Sequence, residues 1–249
     1  MIQLINVTKK FSNPHKVILK DVNLNIKKGE FVCILGSSGV GKSTLLNLVA
    51  GLERASAGQV LMNGQEINGP GKDRVVMFQE AALFPWLTVS ENVQFGDKIA
   101  GVPLQEREEK ALKYLSMVNL AEYKDYKIGQ LSGGMRQRVA LARALAMDSH
   151  VLLMDEPFSA LDIDTKRKLW DEVDRIRRKT GKTVMMVTHS VEEAVFLADR
   201  IIQLSPESGG IDTEYRIEIE GDRKEHEKEM QDLIEKITNG QNKGKQEVC

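Results

Sequence analysis

The sequence predicts an α/β protein built on a mostly parallel sheet. Three observations carry that expectation. Short apolar runs of strand length alternate with longer helical patterns, as crossover connections between parallel strands require. A glycine-rich loop lies directly between one apolar run and a helical one. A later apolar run ends in two adjacent acids, Asp155 and Glu156.

Four runs read as buried strands: Phe31–Leu35, Val75–Phe78, Val151–Met154 and Thr183–Thr188. Each is largely apolar on both faces, as a strand covered by helices should be. Between Ala81 and Gln130 the pattern changes. Leu104, Ala111, Leu112, Leu115 and Val118 recur at helical spacing with charges between them, and no strand signal appears. Residues 81–130 therefore read as a helical subdomain inserted into the α/β core. Ser190-Val-Glu-Glu193 is a capping-box pattern that opens a helix after the last strand. Residues 1–205 read as one domain and 206–249 as an extension. The extension starts with a turn at Ser205–Gly210, then a strand-like Tyr215–Ile219, a charged helix near Glu225–Ile237 and a frayed end. Residues 207–249 hold 12 acidic and 7 basic side chains, net −5, which leaves the rest at +4.

Composition removes several classes of function. With 249 residues the chain can bury a substantial core. Its 41% hydrophobic and 29% charged residues describe a globular balance. No apolar run approaches the roughly 18 residues that a spanning helix needs. The start, MIQLINVTKK, lacks the basic-then-apolar order of a secretion signal. Cys33 and Cys249 supply neither a disulfide framework nor zinc spacing. A net charge of −1 argues against a nucleic-acid coat. The expectation is a cytosolic protein that reaches a membrane only by docking on another protein.

Gly36-Ser-Ser-Gly-Val-Gly-Lys-Ser-Thr44 fits G-x-x-x-x-G-K-[ST] between a strand and a helical run. Gly36, Gly39 and Gly41 allow a tight loop whose N–H groups converge on phosphate oxygens, with Ser37 and Ser38 between them. The helix from Lys42 to about Ala50 points its positive end at the same anion. Lys42 can reach the outer phosphates, Ser43 can ligate Mg²⁺, and Thr44 completes the loop. The motif implies a nucleoside triphosphate. The acids that end Val151–Met154 fall at the carboxyl edge of the sheet, where open α/β folds bind ligands. There Asp155 suits Mg²⁺ and Glu156 suits acceptance of a proton from an attacking water. Two carboxylates beside a polyphosphate need a cation between them.

Leu131-Ser-Gly-Gly-Met-Arg-Gln-Arg138 decides the kind of triphosphatase, ending 17 positions before Asp155. Ser132, Gly133 and Gly134 open a helix with free N–H groups and no bulk, which makes a second anion site. One nucleotide does not need two clamps in one chain. Two copies facing head-to-tail would use both.

With these motifs in this order, the sequence resembles the nucleotide-binding subunit of ABC transporters over about residues 2–205. The resemblance implies the ABC ATPase fold, with N-terminal antiparallel strands beside the P-loop parallel core. It implies ATP and Mg²⁺ as cofactors. Gln79 then matches the glutamine that touches Mg²⁺ and the nucleophilic water and couples to membrane subunits. Ser159-Ala-Leu-Asp162 matches the loop that speaks across the dimer, and His189 the histidine on the γ-phosphate. Phe11 lies where the family places an aromatic against adenine, although an aromatic there can also be simple core. Phe84 and Trp86 read equally as core or as part of a membrane-subunit contact.

Gly69-Pro-Gly-Lys-Asp-Arg74 and Pro85-Trp86 look like an importer subgroup that serves nitrate, aliphatic sulfonates and taurine. One departure is Ile128, where the family often has proline. The implied assembly is an ATP-sandwich homodimer with two membrane permease subunits and, indirectly, an extracytoplasmic solute-binding protein. It would sit peripherally on the cytoplasmic face of the membrane, without nucleic acid. An ATPase of an exporter or of cell-division machinery shares the motifs and is the alternative reading. A non-transport ABC ATPase fits less well, since it usually carries two ATPase halves or a long coiled coil. A phosphotransferase would have no use for Leu131–Arg138.

Overall fold

The computed structural model describes residues 1–11, 16–219 and 226–246, without the side chains of 16 and 241–246. Cys249 and part of the extension's expected frayed end lie outside the described residues. The chain forms two compact units, residues 1–68 with 185–249, and residues 69–184.

In the first unit, β1 (Ile2–Phe11) pairs antiparallel with β2 (Lys16–Ile26), with Ile2 opposite Ile26 and Leu4 opposite Leu24. The other edge of β1 carries β4 (Ala57–Met62), followed by the short β5 (Gln65–Glu66). Ile2, Leu4, Val7, Val22, Leu24 and Ile26 are buried between polar neighbours, which is how a half-solvated antiparallel sheet is written in sequence. β3 (Phe31–Leu35) is buried along its whole length and runs parallel to β9 (Arg200–Leu204). Its start is fastened by the Phe31 N–H donating to the Asp199 carboxylate at 2.8 Å. α1 (Lys42–Ala50) follows β3 and buries Leu45, Leu46, Leu48 and Val49. It stops where Gly51 turns left-handed.

β10 (Ile211–Arg216) pairs antiparallel with β9 from Ile211 opposite Leu204, and so begins earlier than Tyr215–Ile219. The turn Ser205–Gly210 sets that register, and the alternating burial of β10 is too shallow to mark its start in sequence. α7 (Glu227–Gln246) runs past Ile237 through Gly240 and Gly244. Met230 and Ile237 are buried in its packing on α6 (Val191–Leu197), so tertiary contact rather than propensity holds this helix.

In the second unit, β6 (Arg74–Met77) and β7 (Val151–Asp155) are parallel, from Arg74 beside Val151 to Met77 beside Met154. β8 (Thr183–Val187) carries the chain from this unit back into the first. At its start the Thr183 N–H donates to the His150 carbonyl, and just past its end the Thr188 N–H donates to the Ile34 carbonyl. Residues 81–130 hold α2 (Val89–Ile99), α3 (Leu104–Met117) and two short 3₁₀ turns, with one isolated bridge between Thr88 and Lys127. Both helices pack on α4 (Gly133–Ala146), whose alanines 140, 142, 144 and 146 let neighbours close in from several sides. α5 (Ile163–Thr180) turns Leu169, Trp170, Val173 and Ile176 inward, and Trp170 meets Phe158 edge-on at 6.4 Å.

The entry to α2 is a reciprocal cap. The Thr88 hydroxyl accepts from the Glu91 N–H at 3.1 Å, and the Glu91 carboxylate accepts from the Thr88 N–H at 2.6 Å. Thr88→Ala should lower stability by about 1 kcal/mol, read as a shift of the urea unfolding curve. That Thr88 N–H holds the Glu91 carboxyl below its ordinary range. Its contribution is therefore complete above the ordinary glutamate range and is lost as pH falls through the lowered folded value. The stability gap between wild type and Glu91→Gln should accordingly shrink on acidification.

Candidate nucleotide site

The glycine-rich loop lies between the ends of β3 and α1. Gly41 caps α1 from the left-handed side at φ 110°, and a Cβ there would stand 2.9 Å from both Ile18 Cγ2 and Leu19 Cδ2 of β2. Only glycine fits. Lys42 is 6% exposed, and its ammonium donates to the Gly36 and Ser37 carbonyls at 2.8 and 2.9 Å. Ser37, Ser38, Gly39 and Ser43 are exposed, and Thr44 is half-buried. The first turn of α1 has no acidic side chain, so its positive end is not neutralised from within its own sequence.

The second unit gathers the acids. Asp155 is the last residue of β7, and Glu156 follows at φ 45°, a left-handed conformation that costs a non-glycine residue roughly 1–3 kcal/mol. Its surroundings hold it there. The Ser159 hydroxyl and N–H donate to the Glu156 carbonyl at 3.0 and 3.2 Å. Gln79, two residues past β6, donates from Nε2 to the Glu156 carboxylate at 3.2 Å. The structure thus brings Gln79 and Glu156 together, as parallel pairing of β6 with β7 requires.

Ser132 is the N-cap of α4, its hydroxyl accepting from the Met135 N–H at 3.2 Å. Ser132 and Gly133 are exposed. Gly134 packs against the Ala160–Leu161 segment, where an added Cβ would meet the Ala160 carbonyl at 3.4 Å. Asp162 then caps α5 through the Thr165 N–H, which holds its carboxyl below the usual range.

In the first unit, His189 is exposed between β8 and α6. Buried Thr188 donates its hydroxyl to Glu193 at 2.6 Å, and the Ser190 hydroxyl accepts from the Glu193 N–H at 3.2 Å. The Ser190–Glu193 cap read from sequence therefore fixes the residues on both sides of His189. Phe11 ends β1 and is 38% exposed.

Three further side chains hold these segments. Gln137, buried on α4, donates to the Pro157 carbonyl at 3.2 Å and ties that helix to the turn after Glu156. Arg143 donates to the carbonyls of Ala81 and Ala82 at 3.1 and 3.0 Å and lies over the Phe84 ring; burial pushes its pKa down. Asn92 accepts from the Phe84 N–H at 2.9 Å and donates to the Phe84 and Thr88 carbonyls. The loop from Gln79 to Thr88 is thereby shaped from two helices, with Trp86 left 68% exposed beside Phe84. Thr88-Val-Ser-Glu91 carries the same cap signature as Ser190–Glu193 and marks the end of this loop in sequence. Arg143 carries no such mark.

No group of three or more His, Cys, Asp or Glu gathers among the described residues. Each unit carries hard oxygen donors, the Ser43 hydroxyl in the first and the Asp155 carboxylate and Gln79 amide oxygen in the second. Donors of that chemistry suit Mg²⁺, which takes few protein ligands and fills its shell with phosphate and water.

The family pattern described as "ABC transporter" matches residues 19–159, from β2 to the turn after Glu156. The chain belongs to the ABC transporter family. The cassette is 48% identical over 206 residues to the nitrate import ATP-binding protein NrtD of Synechocystis sp., covering 83% of this chain and 77% of that one. It is 44% identical to the taurine import ATP-binding protein TauB of Roseobacter denitrificans, covering 87% and 82%. Among solved structures it is similar to a dimeric, post-hydrolysis ATP-binding cassette bound to ADP and Pi. There the TM-score is 0.80 at 37% identity, over 88% of this chain and all of the other. The ABC ATPase fold, with its antiparallel strands and α/β core, is thus established.

Gln137→Ala would leave the Pro157 carbonyl without its buried donor. It should cost about 1–3 kcal/mol of stability. Calorimetric unfolding would measure that loss. The variant should also hydrolyse ATP more slowly than wild type at saturating nucleotide.

Proposed function

We propose that this chain is the ATP-binding and ATP-hydrolysing subunit of an ABC importer for a small solute of the nitrate, sulfonate or taurine type. The observation that carries the coupling is the hydrogen bond from Gln79 to Glu156. It joins the best-placed proton acceptor to a loop whose far end exposes Trp86. Identity to nitrate and taurine import proteins supports the solute class. Residues 1–205 act as the ATPase domain, with the helical subdomain at 81–130, and 206–249 as its extension.

The residue roles follow from the chemistry of each group. The loop Gly36–Thr44 binds the phosphates through backbone N–H groups, and the Lys42 ammonium exchanges its carbonyl partners for phosphate oxygens. Phe11 takes the adenine. Ser43, Asp155 and the Gln79 amide oxygen would hold Mg²⁺, which would supply neutralisation of the charge on the phosphates. Glu156 orients the attacking water and accepts its proton, while His189 donates toward the γ-phosphate. Ser132, Gly133 and Gly134 of a second copy present their helix N-terminus to the same nucleotide. The dimeric neighbour with ADP and Pi supports a homodimer, and the use of both anion sites would make it head-to-tail. Closure of the dimer acts on two permease subunits through the Gln79–Trp86 loop, and hydrolysis reopens it. An extracytoplasmic binding protein delivers the solute. No described helix is long and apolar enough to cross a membrane. The subunit works peripherally, on the cytoplasmic face.

Glu156→Gln should bind ATP, hydrolyse it slowly and accumulate as a dimer with nucleotide, seen by sedimentation. Near-normal turnover would remove Glu156 from its role. Lys42→Ala should weaken ATP binding itself; unchanged affinity in calorimetry would count against the phosphate-loop assignment.

A further inference from the structure

The end of β1 carries a buried cation that the chemistry above does not use. Lys9 is only 8% exposed. Its ammonium donates to the Glu53 carboxylate at 2.6 Å and to the Arg54 carbonyl at 2.9 Å, and it lies 4.8 Å from the centroid of the Phe11 ring. Glu53 and Arg54 stand just past Gly51, where α1 ends. On the neighbouring strand Lys9 is paired with Leu19, one of the two side chains that close on Gly41, where α1 begins. The Phe11 end of β1 is therefore fixed to both ends of the helix that follows the phosphate loop.

A lysine withdrawn from water is costly unless its charge is met, and here a carboxylate, a carbonyl and an aromatic face meet it. A cation within about 6 Å of a ring centroid is attracted to the ring's negative face. It occupies that face and draws π density toward itself. The opposite face becomes less negative, which suits offset stacking on an electron-rich purine. Phe11 remains 38% exposed despite this covered side, so ring surface is available for a ligand.

We propose that Lys9 is a positioning residue for the nucleobase: it clamps one face of Phe11 so that the other stacks on the purine of the nucleotide. The inference rests on the reading of Phe11 as the base contact, and the test separates the two.

Calorimetry on the purified full-length chain would compare MgATP with Mg-tripolyphosphate, which keeps the phosphates and lacks the base. Phe11→Ala should weaken MgATP binding about tenfold and Lys9→Met about three- to fivefold, while tripolyphosphate affinity stays within about twofold in both. Lys9→Arg, which keeps a cation that can lie over the ring, should stay close to wild type for both ligands. Equal losses for the two ligands in Lys9→Met would overturn the proposal, leaving Lys9 as a strand-to-helix fastening. No loss for either ligand in Lys9→Met, with Phe11→Ala selectively impaired, would overturn it as well. An unchanged ATP-to-tripolyphosphate ratio in Phe11→Ala would instead defeat the reading of Phe11, and the Lys9 proposal with it.

Discussion

Holding a polyphosphate at the end of a strand requires backbone N–H groups to reach it, which requires a loop without side-chain bulk where the chain turns into the helix. In this cassette the requirement falls on Gly41. Ile18 and Leu19 of β2 leave no room for a Cβ there, and the backbone is already left-handed. The antiparallel strands therefore shape the glycine-rich loop. β2 bounds the loop, β1 braces β2, and Lys9 ties β1 to the segment after α1. Within this frame Lys42 is pre-placed by the Gly36 and Ser37 carbonyls.

The second unit holds a carboxylate under backbone strain at the end of a buried strand. Glu156 sits in a backbone conformation that its residue type disfavours. The strain persists because Ser159 bonds its carbonyl, Gln79 its carboxylate, and Gln137 the next carbonyl along. Each partner comes from a different segment: the turn itself, the loop after β6, and α4. The Gln79–Thr88 loop is thus joined to Glu156 by the hydrogen bond from Gln79.

Much of this was legible in the sequence. Phe31–Leu35 is both the expected and the observed strand, because a strand buried on both faces leaves an unbroken apolar run. The helix opened by Ser190–Glu193 was legible because a cap is a local device, satisfied within four residues. β10 and the far half of α7 were not, since one is set by pairing with β9 and the other by packing on α6. The same distinction runs through the site. Gly41, Ser132 and the strand-end acids announce themselves by type and spacing. Arg143 and Asn92 act through side-chain bonds to carbonyls, which any residue supplies, so no pattern of residue types records them; Gln137 lies within Leu131–Arg138, but nothing in that motif marks its bond to the Pro157 carbonyl.

ATP hydrolysis by this chain is proposed to drive a membrane permease. The most direct measurement is affinity purification of the tagged chain from detergent-solubilised native membranes, with its partners identified by mass spectrometry. A multi-spanning protein should be recovered in stoichiometric amount, and Trp86→Ala should reduce its recovery. Recovery of ribosomal or DNA-bound partners and no membrane protein would contradict the transport assignment.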